Sequence, residues 1–150
     1  MNLFSIFRKR FFTREEEKNI VQAIKKAEFH TSGEVRIHFS SKLVKDVYSD
    51  ATEVFTKLGM QNTERRNGVL IYIVPSEKQF AIIGDEGFHQ FAGDDFWQSV
   101  KDKMQNLFRE GNFVEGLILG LEEVGTVLKA HFPREDNDTN ELTDNISYGE

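Results

Sequence analysis

A chain of 150 residues with no cysteine is long enough for one core of ordinary size, and it excludes disulfides, thiolate metal sites and cysteine nucleophiles. The net charge of −6 is uneven: residues 134–150 hold one arginine and six acids, which leaves residues 1–133 near −1. A near-neutral body without a basic stripe and interleaved aromatics argues against nucleic-acid binding.

The first twelve residues place Leu3, Phe4, Ile6 and Phe7 before the basic triplet Arg8-Lys9-Arg10. That is the reverse of a secretory signal. No window reaches the ~18 apolar residues of a spanning helix. The expectation is a cytoplasmic protein with residues 1–12 as an arm on the domain. The rival is a membrane-surface segment, its apolar residues in lipid and its triplet on anionic headgroups.

Thr13-Arg-Glu-Glu16 is a capping box, and Ile20, Val21, Ile24 and Ala27 then share one helical face. The spacing predicts a helix over 14–28. Thr31-Ser32-Gly33 is turn chemistry. Glu34 to Ser40 alternates strictly, with Val35, Ile37 and Phe39 on one side and Arg36 and His38 on the other, as a half-buried strand does. Asp46 or Ser49 can cap a second helix carrying Val47, Ala51, Val54, Phe55 and Leu58 and stopped by Gly59. Gln61 to Arg66 reads as polar loop.

Val69 to Val74 is continuously apolar, as in a strand covered on both faces. Pro75 to Lys78 is a hairpin loop, and Gln79 to Ile83 the returning strand. A glycine-rich loop follows, and Asp94 or Asp95 is expected to cap a third helix with Phe96, Trp97, Val100, Met104, Leu107 and Phe108. Asn112 and Glu115 suggest a second capping box, opening a fourth helix that carries Leu117, Ile118, Leu121, Val124 and Leu128. Gly116, Gly120 and Gly125 weaken that helix by up to ~1 kcal/mol each, which implies close approach to the sheet or another helix. Pro133 closes the domain at 13–133. Residues 134–150 read as a mobile acidic tail that Leu142, Ile146 and Tyr148 could dock.

The order helix, strand, helix, strand, strand, helix, helix predicts an α/β fold, a three-layer α/β/α sandwich with a small mixed sheet. A right-handed crossover makes the first two strands parallel, and the tight loop at Pro75 makes the third antiparallel. Three loops then meet at one edge: 31–34, 64–68 and 84–95. They bring together Glu34, Asp85, Glu86, Asp94 and Asp95, with the backbone of Gly33, Asn67, Gly68, Gly84 and Gly87. Carboxylates and carbonyls without thiols suit a hard cation, calcium or magnesium. Helix capping alone explains Asp94 or Asp95, and turn formation explains Asp85 and Glu86. Among the histidines, His89 is a surface residue near this loop that could serve as a ligand or proton donor. His38 is a hydrogen-bonded packing residue. No nucleophile elbow or phosphate loop is present.

Phe12 to Glu17, Thr31-Ser-Gly-Glu-Val-Arg-Ile37, Asn67 to Val74, Phe80-Ala-Ile-Ile-Gly-Asp-Glu-Gly87 and Phe108 to Leu117, in this order and spacing, resemble the TPM domain of bacteria and plant thylakoids. The resemblance implies an α/β/α sandwich and a divalent-cation site, calcium in particular, at the loops above. It also brings a phosphatase activity attributed to the thylakoid relative, and links of other relatives to photosystem repair or membrane-protein association. Two departures stand out. Export signal and transmembrane tail are lacking, as in the cytosolic subgroup, and Gly84-Asp85-Glu86-Gly87 replaces the family's commoner G-x-G. The expectation is a monomeric cation-binding interaction module whose partner is another protein or a membrane-associated complex. The alternatives are a metal-dependent phosphatase and a membrane-peripheral adaptor.

Overall fold

A computed structural model of the chain describes residues 12–134 and 146–149. The arm expected over 1–12 lies outside them except for Phe12, as do residues 135–145 of the tail. Helix α1 (Arg14–Glu28) opens on the capping box: Thr13 Oγ1 accepts from Glu16 N–H, and Glu16 accepts from Thr13 N–H. Strand β1 (Glu34–Ser40) follows. Helix α2 (Val47–Lys57) is capped by Asp46, which accepts from Ser49 N–H. Strand β2 (Gly68–Val74) and strand β3 (Gln79–Gly84) are joined by a single 3-10 turn at Pro75–Glu77, with Lys78 left-handed at φ 54°. Helix α3 (Glu86–Arg109) and helix α4 (Phe113–His131) complete the helical set among the described residues.

β1 pairs parallel to β2 with Glu34 opposite Gly68, and β2 pairs antiparallel to β3 with Val69 opposite Gly84. One sheet face carries Val35, Ile37, Phe39, Val69, Ile71 and Ile73 against α1, α3 and α4. The other carries Leu70, Tyr72, Val74 and Ala81 against Ala51 and Phe55 of α2. These are the three layers expected, and the apolar run of β2 is covered on both sides.

Three elements differ from expectation. A fourth strand, β4 (Ser147–Gly149), pairs parallel to β1, with His38 opposite Ser147 and sheet order β3-β2-β1-β4. It occupies the open edge of β1, whose backbone groups would otherwise lack partners. Tyr148 stacks on Phe39 at 5.6 Å, and Ile146 is buried. Gly149 leaves room for His38, since a Cβ there would stand 2.7 Å from His38 Nε2. The end of the presumed mobile tail is thus docked, through two of the residues singled out for that.

Second, helix already begins at Glu86, and the helix expected from Asp94 or Asp95 is the part of α3 that follows a break at Gly93. Asp85 is the N-cap of α3 and Phe88 is fully buried; the backbone breaks at Gly93 (φ 76°, ψ 169°), and Asp94 and Asp95 follow the break. The glycines made this stretch read as loop, yet helix occupies most of it. Third, Asn112 caps α4 by position but makes no side-chain cap bond. The α4 glycines do serve close approach, and to helices: Gly116 to Phe108, Gly120 to Met104, Gly125 to Ala27.

Candidate functional site

The three loops do meet at one edge. Glu34 N–H donates to Asn67 O at 3.4 Å, Asp85 N–H to Gly68 O at 2.9 Å, and Gly87 N–H to Arg66 O at 2.9 Å. Thr31 pins the first loop to the end of α4. Its hydroxyl is shared between Leu128 O and Phe132 O and accepts from Gly33 N–H.

At the centre is a residue the sequence left in a polar loop. Arg66 takes a left-handed conformation (φ 51°), and its guanidinium grips Asp85 with both oxygens engaged, Nε to Oδ2 at 2.7 Å and Nη2 to Oδ1 at 2.9 Å. Nη1 lies 3.5 Å from Glu86 Oε1. Asp85 is 7% exposed and also accepts from Glu86 N–H as the N-cap of α3. The hydrogen bond and charge of Asp85 hold the guanidinium pKa above its ordinary value. Bidentate pairing at a helix N-terminus satisfies the buried carboxylate and the helix dipole together.

The other candidates divide. Glu34 is buried at the edge, opposite Gly68. Asp94 is 98% exposed, with its Oδ1 4.0 Å from His89 Nε2. Asp95 is exposed on α3. Among the described residues, no three acidic or histidine side chains come together closely enough to hold a metal ion. Two of the carboxylates, Asp85 and Glu86, flank the Arg66 guanidinium. His89 is exposed, and its Nδ1 accepts from Trp97 Nε1 at 2.8 Å.

The glycines are present for contact. A Cβ on Gly33 would meet Leu128 at 2.5 Å, on Gly68 the carbonyl of Met60 at 2.9 Å, and on Gly84 the Trp97 ring at 2.6 Å. The tightest is Gly87, 2.2 Å from Arg65 O. Because that neighbour is backbone, Gly87→Ala is expected to cost about 2 kcal/mol, in the usual range for overpacking. The measurement is urea unfolding.

Asn67 was expected to contribute backbone alone. Its side chain is 1% exposed; Nδ2 donates to Ser32 Oγ at 3.3 Å, and Oδ1 is buried without a partner. A buried acceptor with no donor is costly and places an unused oxygen on this edge.

The sequence profile of the TPM domain matches residues 7–127. The chain belongs to the TPM-domain family. The BA42 protein of the psychrophilic bacterium Bizionia argentinensis, known from an NMR structure, is 45% identical with a TM-score of 0.86, over 93% of this chain and 96% of that one. Two more distant NMR structures share the fold alone. The N-terminal domain of a protein from P. gingivalis is 21% identical with a TM-score of 0.63, covering 83% of each chain. The N-terminal domain of a Corynebacterium glutamicum protein is 14% identical with a TM-score of 0.64, over 87% of this chain and 81% of that one. No curated protein matches. Among the described residues of this family member, no helix is long and apolar enough to cross a membrane.

Proposed function

We propose that this TPM domain is a binding module whose three-loop edge exchanges an internal cation for an external one. Arg66 is bound in the state described above, and calcium or magnesium replaces it at Asp85 and Glu86. The observation that carries this reading is the convergence of two consecutive carboxylates, one of them buried, on a single guanidinium that is itself 43% exposed. The position is built for positive charge, and its occupant can leave to solvent. The unpartnered Asn67 Oδ1 is an independent sign that the edge has oxygen to spare. Oxygen donors of this kind match the preferences of both ions.

Exchange would release the loop at Arg66 from the start of α3, so occupancy would change the shape that a partner meets. Titrating calcium into the labelled chain should shift the amides of residues 63–68 and 84–89 first. Silence of both segments up to ~10 mM, beyond the weakest class of protein calcium sites, would sink the proposal. The phosphatase reading would need the same cation to face a substrate. The membrane reading rests on residues 1–12, of which Phe12 alone is described, and it is buried.

A further inference from the structure

Away from the edge, α1 and α4 leave a groove of about 750 Å³ between them. Its floor is low because the residues there are small: Ala23 and Ala27 from α1 and Gly125 from α4, with Ile118 beside them. Gly125 lies so near α1 that a Cβ would stand 3.1 Å from Ala27 Cβ. The rim is cationic. Lys25, Lys26 and Lys129 are exposed around it, and Glu122 is the acid among its lining residues. At one end Phe29 stands 67% exposed. The charge continues along α1 into an adjoining recess whose lining includes Arg14, Lys18 and Lys25, spaced to share one stripe of the helix, with Glu17 as the acid among them.

We propose that this groove docks an amphipathic helix of a partner protein, apolar on one stripe and acidic along its flanks. Three features specify that occupant. Small residues on a helix pair let a third helix approach to normal packing distance. An apolar floor between charged rims is the form in which amphipathic helices are received. The rim's charge is of one sign but for Glu122, and an acidic flank complements it. A lipid surface would meet the rim but not enter the groove. The inference rests on none of the atoms of the cation-exchange edge and stands or falls separately.

The test uses the full chain and a synthetic helical peptide with leucine on one face and glutamate on the other. Amides of residues 19–30 and 118–129 should shift on titration. The paired substitution Lys25→Glu with Lys129→Glu, both exposed and each in the last turn of its helix, should lower the thermal melt slightly and weaken binding about tenfold, equivalent to about 1.4 kcal/mol. Four results would overturn the proposal. These are equal binding of a leucine–lysine peptide, no shift at these amides, and a response only to vesicles of equal phosphatidylglycerol and phosphatidylcholine. The fourth is broadening of the same amides with protein concentration alone, which would assign the groove to a second copy of the chain.

Discussion

Asp85→Ala is expected to lower unfolding stability by about 2 kcal/mol, the upper end of what loss of a helix N-cap costs. The side chain does two jobs. It caps α3 through Glu86 N–H, and it ties α3 to the preceding loop through Arg66. Alanine loses both. The midpoint of urea unfolding should fall with little change in slope, and hydrogen exchange should quicken in residues 63–67 and 86–88 first. Asp85→Asn keeps an acceptor for the cap but not the charge, so it should fall between alanine and the parent. Equal stability of all three would mean that the edge does not depend on this carboxylate.

The second large effect is on pH dependence. His38 is buried and stacks on Tyr72 at 5.6 Å with the rings almost parallel. Ser147 Oγ donates to Ile37 O and lies 2.7 Å from His38 Nδ1. With its proton committed, the hydroxyl accepts from Nδ1–H, which fixes the tautomer of the neutral ring. Burial, then the neighbouring charge of Arg36, lowers the His38 pKa to about 4. In the unfolded chain it returns to about 6.5. Between those values the unfolded chain binds a proton that the folded chain refuses. Stability is therefore full above about pH 6.5, falls as the pH drops toward 4, and loses nothing further from this group below that. The loss is at most on the order of 3 kcal/mol at about 1.4 kcal/mol per pH unit.

Carboxylates titrate near the lower limit, so the informative quantity is the parent curve minus that of His38→Gln. That difference should slope between pH 6.5 and 4. A flat difference would contradict the neutral, buried histidine. β4 sits directly against His38 and should loosen first as the pH falls.

The first two strands, their parallel pairing and the return of the third were legible because period-2 alternation, an unbroken apolar run and a tight turn each have a local signature. From those three elements alone, the meeting of Glu34, Gly68 and Asp85 at one edge follows. What that edge holds did not follow. Arg66 lies in a stretch without periodicity, and its partner is 19 residues away. Its place before Asn67-Gly68, where the chain must turn into a buried strand, was the available hint. Asp85 as an N-cap was masked by three nearby glycines, which suggested a loop although Gly84 and Gly87 serve close packing and Gly93 alone has a positive φ. β4 could not be read because three residues carry no period, and its stability comes from Phe39 and His38, more than a hundred positions away in the chain.

The central claim is that Arg66 and a divalent cation compete for Asp85 and Glu86. The most direct measurement is the calcium affinity of the parent chain against that of Arg66→Ala at fixed ionic strength, by isothermal titration. Removing the internal competitor should tighten calcium binding by roughly tenfold or more, about 1.4 kcal/mol, with the same amides responding. Equal affinity, or weaker binding in Arg66→Ala, would show that the guanidinium holds no place that a cation takes.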